Sequence, residues 1–519
     1  MEHEAIGEQI ALECSLERLN DAASSFGFSV KHMPGRGRCC IATRHIRSGE
    51  TLALDPPLLY WEDEPMQNSV VANSLYNACG GRVHANVVNL FSAYIDASPE
   101  IQERVDDFAV AGSPQEARFI ADKTAVWQEI CKQIWSGCSE YHDQLKSTSN
   151  MVALLTKSHI NAHGFNGGHA MLEVASKSNH ACSPNATYVP IILDGRKFMR
   201  LLAIKNIAPE EEIFTTYIAG LDMLNSTRNR RALLVSQKAF VCRCSRCIAP
   251  DLQSRLPCPA CKTGTMIWHD TVEHPWHCQQ CGRRFWDGQV NMREKQLQGL
   301  LSNLDSQMNR GGFPPLSIMA FLMRDVEEDL GRHHYLQIQA WSLMEELFAY
   351  RSVAGLADDA TERPVRLANA WKYVRFLMLE FWDTTPVVAT NLSVLRLQTL
   401  ITHGADSQSG QKRLPPPGVP LHELKKVLKR ASQFLTTFFG EQDIDAQSFR
   451  QALQDYNCCA RESCDNTLTE TCVACPKCSL LYCNRKCLNA DKSLHEAYCT
   501  LAQKVGVLVN DPRELIAAI

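Results

Sequence analysis

The feature that most constrains this chain is where its 23 cysteines fall. They are gathered, not spread. Cys242, Cys244 and Cys247 form a C-x-C-x2-C run, and two C-x2-C knuckles follow, Cys258 with Cys261 and Cys278 with Cys281. Near the C-terminal end come Cys459, Cys464, Cys475, Cys478, Cys483, Cys487, His495 and Cys499. Cysteine this abundant implies a disulfide framework or bound metal. The opening MEHEAIGEQIALECS carries acids where a secretory leader has a basic start and an apolar run. No stretch approaches the ~20 apolar residues of a membrane span, so no membrane partner is expected. A chain of 519 residues has room for roughly two to four domains and does not need disulfides in place of a core. Thiols in the cytoplasm, the nucleus or both then read as metal ligands.

Spacing assigns them. The two knuckles have the spacing of a zinc ribbon, each turning tightly so that two thiolates reach one side of a tetrahedral metal at about 2.3 Å. The eight residues of the last group fill two tetrahedral sites, and pairing in sequence order and crossed pairing are both physically open. Cys458 and Cys472 stand beside them as alternative ligands. A segment this short has almost no apolar core, so metal binding would supply its folding free energy. The first group has three cysteines where zinc wants four, and its fourth ligand must come from elsewhere.

Residues 176–188 read SKSNHACSPNATY. Taken alone this is an Asn/Ser/Pro-rich loop. Its surroundings add to it. Two apolar runs flank Asp194-Gly195 and predict a β-hairpin. A further strand is predicted at Glu211–Tyr217, EEIFTTY, followed by one or two helices that end at CRCSRC. Upstream lie Gly35-Arg36-Gly37 and the strand TLALDPPLLYW.

A GxG loop, NHxCxPN, EEIFTTY and a post-SET CxCx2C, in that order, resemble the SET domain of protein-lysine methyltransferases. The run from YIAGLDMLNSTRNRRALL to FVCRCSRC is most similar to the SET and MYND domain-containing family. The last cysteine group, with Tyr482 before Cys483, resembles the MYND finger. The resemblance implies an interleaved finger, with Cys459, Cys464, Cys483 and Cys487 on one zinc and Cys475, Cys478, His495 and Cys499 on the other. It also implies that Cys182 joins Cys242, Cys244 and Cys247. Counting the ribbon, about four zinc ions are expected. The implied cofactor is S-adenosylmethionine. Gly35, Arg36 and Gly37 would contact it, Asn161 would hold its amino-acid end, and Ser176, Asn179 and His180 would line it. Phe240 would cover its adenine. Tyr217 matches the catalytic tyrosine. The implied activity is methyl transfer to a lysine of a protein substrate, histone or non-histone.

The sequence departs from the family pattern at several places. Lys238 stands where a second tyrosine is usual, Lys177 and Ser178 where apolar residues are usual, and Glu210 where a turn glycine is usual. Lys492 stands where the finger usually has Trp, and the finger itself sits at the C-terminal end instead of inside the SET domain. Lys238 and Lys177 motivate an alternative, a zinc-binding adaptor with little or no turnover that holds protein partners.

The remaining sequence completes an α+β multidomain expectation. Residues 1–29 are expected to form an N-terminal helical segment. The SET domain is expected over 30–220, with a helical insertion at 62–149 and the post-SET segment at 221–247. A zinc ribbon follows at 248–288, an all-α helical domain at 289–455, a MYND-type finger at 456–500 and a tail at 501–519. The insertion and the helical domain rest on helical periodicity, as in SVVANSLYNACGGRVHANVVNLFSAYI and LHELKKVLKRASQFLTTFF. The finger and the helical domain are where peptide partners are expected. Lys+Arg number 53 against 57 Asp+Glu, a net charge of −4, so a nucleic-acid partner held by phosphate neutralisation is not expected.

Overall fold

The structure is a computed structural model. It describes residues 26–510 apart from 35, 67–68, 81–82, 109–113, 166, 239, 271–273, 332–333, 357–358, 404–414, 461–463, 465, 470 and 492–495. The expected helical segment therefore lies mostly outside the described residues, as do Gly35, Lys492, His495 and the end of the tail. The chain divides into two compact units. One holds the residues up to Ile218 together with Arg231–Cys244, and the other holds Ala219–Arg230 and the chain from Ser245 onward.

Short strands build the first unit. They are β1 (Phe28–Met33), β2 (Gly37–Ala42), β3 (Thr51–Asp55), β4 (Pro57–Glu62), β5 (His163–Phe165), β6 (Gly168–Leu172), β7 (Asn179–His180), β8 (Ala186–Leu193), β9 (Arg196–Ala203) and β10 (Phe214–Thr215). They form small sheets, β1-β2, β3-β9-β8 and β4-β6-β5, all antiparallel, and a parallel pair β7·β10. The β8–β9 hairpin turns at Asp194 and Gly195, whose φ values of +49° and +74° are those of a type I′ turn, the turn whose twist suits paired strands. Phe28, Val30, Cys40, Leu52, Leu201, Ala203 and Ile213 bury one core between these sheets.

The helices between β4 and β5 bury a second core. Leu75, Phe91, Tyr94, Ile134, Leu154 and Leu155 of the helices close on Leu58, Leu59 and Trp61 of β4 and Met171 of β6. Cys79, Cys131 and Cys138 sit in this core as small apolar side chains. Two boundaries differ from expectation. The first strand begins at Phe28, inside the segment read as helical, because Phe28 and Val30 alternate inward against β2. The helical stretch continues past residue 149 through Thr148–Asn161, whose N-cap Ser147 accepts the Asn150 N–H.

The second unit begins with a four-stranded antiparallel ribbon, Leu256–Pro257, Thr265–Trp268, Trp276–Cys278 and Arg284–Phe285. Trp276 is fully buried there and its Nε1–H donates to Asp287 at 2.7 Å. Helices follow from Met292 to Asp455, neighbours in sequence packing against one another, as Leu316–Leu330 does with Tyr335–Val353 and Leu421–Phe439 with Ile444–Asp455. A hairpin of Val473–Ala474 with Leu481–Tyr482 and the helix Arg485–Asp491 come next. The last helix, Glu496–Asn510, runs through the boundary expected at residue 500 because Cys499, Ala502 and Val505 bury one face of it.

Glu210, which replaces the usual turn glycine, is held at φ +64°, the left-handed region that costs a residue with a Cβ about 1–2 kcal/mol. Its side chain is exposed and meets Lys31, at 3.3 Å. Glu210→Gly is expected to raise stability by roughly 0.5–1 kcal/mol, the strain relief offset in part by the looser unfolded chain, as read by denaturant midpoint.

Candidate functional site

Two segments far apart in sequence meet at the parallel pair. Phe214 lies opposite Asn179 and Thr215 opposite His180. Asn185 fastens the meeting. Its side chain donates to the Glu212 carbonyl at 2.9 Å and accepts the Phe214 N–H at 2.8 Å. The Ala181 N–H donates to the Thr215 carbonyl at 2.9 Å. This pairing brings Asn179, His180 and Cys182 beside Glu212 and Tyr217.

On one side is a polar edge. Glu212 is 7% exposed, and its carboxylate accepts from Arg36 Nη1 at 2.7 Å and from Asn179 Nδ2 at 2.9 Å. Asn179 Nδ2 also lies 3.1 Å from Cys39 Sγ. Burial, with Glu212 beside it, pushes the Cys39 thiol up to about 12, so it is a neutral member of this cluster. Gly37 opens β2 at φ +71°, a conformation that glycine adopts without strain, and so lets the β1–β2 turn close beside Arg36.

On the other side is an aromatic group. The His180 ring lies 5.4 Å from that of Tyr217 and 6.0 Å from that of Phe240, and Tyr217 and Phe240 meet edge to face at 6.2 Å. The Tyr217 hydroxyl donates to the Ser178 carbonyl at 2.9 Å. Burial holds this phenol above its ordinary range, which keeps it a donor. Lys238 reaches the same place. Its ammonium sits 5.7 Å from the centre of the Tyr217 ring and donates to the carbonyls of His159 at 3.3 Å and Ile160 at 2.9 Å. Burial, and then Lys123, push Lys238 below the usual lysine range.

The structure thus brings Arg36, Gly37, Asn179, His180, Tyr217 and Phe240 together. Two candidates make hydrogen bonds away from this group. Asn161 Nδ2 donates back along its own helix to Lys157 O at 2.8 Å, and Ser176 Oγ donates to Glu173 O at 3.4 Å. Gly35 lies outside the described residues. Sequence reading passed over Glu212 and Cys39. An acid inside EEIFTTY facing the core side of a strand was the one available signal for Glu212. Lys177 turns away from the site, its ammonium 4.0 Å over the Phe108 ring of the insertion, and burial and then Arg38 lower it to about 8.

The cysteines form four groups whose ligand atoms lie within 4.8 Å of one another: Cys182 with Cys242, Cys244 and Cys247; Cys258 with Cys261, Cys278 and Cys281; Cys459 with Cys464, Cys483 and Cys487; and Cys475 with Cys478 and Cys499. His495 lies outside the described residues. Four sulfurs at 2.3 Å from a tetrahedral zinc stand about 3.8 Å apart. The Sγ atoms of Cys258 and Cys281 are 3.8 Å apart, those of Cys261 and Cys278 3.7 Å, Cys464 and Cys483 3.7 Å, and Cys475 and Cys499 3.8 Å. Backbone N–H groups aim at several of these sulfurs, Cys182 N at Cys244 Sγ (3.3 Å), Cys281 N at Cys278 Sγ (3.4 Å) and Cys483 N at Cys459 Sγ (3.4 Å). These groups can hold zinc, and the last two interleave in sequence.

Comparison with known proteins identifies the first unit. The family model of the SET domain matches residues 37–218. Protein L678 of Acanthamoeba polyphaga mimivirus, whose name describes it as SET domain-containing, is 33% identical over 105 residues, 20% of this chain and 38% of that protein. The N-lysine methyltransferase SMYD2 of Bos taurus is 29% identical over 120 residues, 21% of this chain and 25% of that protein. The match spans well under half the length of either relative. Among solved structures, the SET domain of LSMT bound to lysine and AdoHcy is 9% identical with a TM-score of 0.30, covering 85% of this chain and 92% of that one. Likeness at that level leaves the site to its own geometry.

Metal analysis of the purified protein is expected to return about four zinc ions per chain, and Cys278→Ser to remove one of them. A second expectation concerns pH. Burial, and then Lys238, push His163 down to about 4 from its ordinary 6.5, so the native state holds it neutral while the unfolded chain takes up its proton. Its contribution to stability is therefore complete above about pH 6.5 and lost as pH falls toward 4. Asp55, pushed up to about 6 by burial, acts in the opposite sense over the lower part of that window. The measurement is therefore a difference: urea unfolding of His163→Gln should lose less stability between pH 7 and pH 4.5 than the parent does.

Proposed function

We propose that this chain is a zinc-containing protein-lysine N-methyltransferase that uses S-adenosylmethionine. The observation that carries the reading is the parallel pairing of NHACSPN with EEIFTTY, which sets Tyr217, His180 and Phe240 beside the Asn179–Glu212–Arg36 edge inside a matched SET domain. The named SMYD2 relatives, which are N-lysine methyltransferases, agree with it.

The residues fit such a cofactor. The carbonyls of His159 and Ile160 already receive an ammonium, so that corner accepts positive charge. The polar edge offers amide and guanidinium to an amino-acid end, and the Phe240 and His180 rings offer flat apolar cover to an adenine. When bound, the sulfonium would supply its methyl group to the lysine nitrogen, the N–C bond forming as the C–S bond breaks in line and the neutral thioether leaves. This chain's part is alignment, and holding two reactants at near-attack geometry can lower a barrier by about 7–11 kcal/mol. Tyr217, held as a phenol and pinned through its backbone and hydroxyl, would orient the entering amine. The amine's proton leaves to solvent before attack. Zinc in the Cys182, Cys242, Cys244 and Cys247 group would fix the chain just after Phe240 to the Cys182 segment. Protein lysines, histone or non-histone, are the substrate class, and the finger and helical region the surfaces for peptide partners.

A second reading keeps the fold and drops the turnover, leaving a zinc-built adaptor. Lys238 alone favours it, since a cation beside the Tyr217 ring opposes a protonated substrate lysine. Titration calorimetry with S-adenosylmethionine and methyl transfer to a protein panel separate the two. Binding and transfer are expected, with Tyr217→Phe lowering kcat by about 10²-fold while binding persists. Binding without transfer on a broad panel supports the adaptor, and failure to bind overturns the methyltransferase reading.

A further inference from the structure

His180 touches two parts of the molecule at once. Its Nδ1 accepts the backbone N–H of Tyr217 at 2.9 Å, and its Nε2 lies 3.3 Å from Cys182 Sγ. A backbone N–H can only donate, so Nδ1 presents its lone pair and the ring proton sits on Nε2. That proton faces the sulfur of Cys182, which belongs to the group with Cys242, Cys244 and Cys247. Such a bond is strong when the sulfur is a thiolate, the form in which cysteine binds metal, and weak when it is a thiol.

We propose that His180 is a positioning residue that ties the placement of Tyr217 to the state of this thiol group. With metal bound, Cys182 is a thiolate and holds Nε2–H, and the ring so oriented holds the Tyr217 N–H through Nδ1. The inference rests on the methyltransferase reading for what Tyr217 does, and on the two hydrogen bonds for the relay itself.

Three features make the relay effective. Cys182 is 0% exposed and His180 7%, so water does not compete for either nitrogen. The parallel strand pairing ends at Thr215, so Tyr217 lies two residues past its last rung and takes its backbone partner from the ring. Asn179 and Arg36 are held instead by Glu212, which the relay does not touch. Loss of metal therefore loosens Tyr217 while the polar edge keeps its shape. Methyl transfer should fall before cofactor binding does, which makes the group a zinc-responsive control on turnover.

The test uses the full chain with its metals exchanged for ¹¹³Cd and its histidines labelled with ¹⁵N. The expected result is a scalar coupling between the Nε2 proton of His180 and ¹¹³Cd, transmitted through the N–H···S bond, with an ¹⁵N shift for Nδ1 typical of an unprotonated nitrogen. A protonated Nδ1, or no coupling in the folded loaded protein, overturns the proposal. As a second measurement, zinc release to a chelator should be about tenfold faster in His180→Phe than in the parent, the usual loss when a ligand's outer partner is removed. An unchanged release rate also overturns it. Coupling in a protein that fails to bind S-adenosylmethionine would leave the relay standing and sink the methyltransferase reading instead.

Discussion

The side chain of Asn185 is the interaction on which the site depends. It is 6% exposed and bridges the two strands, donating to the Glu212 carbonyl and accepting from the Phe214 N–H. Each of those backbone groups would otherwise be buried unpaired, at about 1–3 kcal/mol apiece. The parallel pair it closes is only two residues long on each strand. So short a pairing cannot hold its own register, and the amide supplies what length does not. Asn179, His180 and Cys182 on one segment, and Glu212 and Tyr217 on the other, all sit within a few residues of that crossing.

How much of this was legible in the sequence depends on the range of the interaction. Cysteine spacing was legible because two ligands on one knuckle are neighbours in the chain, and tetrahedral geometry then dictates the spacing. The hairpin at Asp194-Gly195 was legible for the same local reason, since a left-handed φ at both residues selects those types. The crossing itself was visible only as two motifs in order. Glu212 was hidden in a run of three acids, where nothing local tells the buried one from the exposed ones. Lys177 was visible as an anomaly and misleading as evidence, because its partners, Phe108 and the charges of Arg38 and Asp107, come from segments distant in sequence. It buries its stem against the insertion and says nothing against the site.

The cysteines divide by environment into two physical kinds. Cys40 and Cys131 lie where burial pushes the thiol up to about 12, far from any thiolate, and there they pack as small apolar groups. Those in the clusters face one another closely enough to share a metal, and several of their sulfurs receive backbone N–H groups. The distinction is one of grouping, and no disulfide bond joins cysteines of either kind among the described residues.

Metal also means different things in the different clusters. In the C-terminal segment the buried cluster is Cys459, Cys475, Cys487 and Cys499 with Leu480 and Tyr482, so cysteines are themselves most of its core. Without metal that segment has little to hold it together. The first unit is different: Phe28, Val30, Leu52, Leu201 and Ile213 form an apolar core that does not include Cys182. That core is built without Cys182, Cys242, Cys244 or Cys247. What zinc there can fix is the chain just after Phe240 and, through His180, the backbone of Tyr217. A metal whose ligands lie outside that core is free to act on the position of a few atoms, and in this unit those atoms are the ones the proposed chemistry uses.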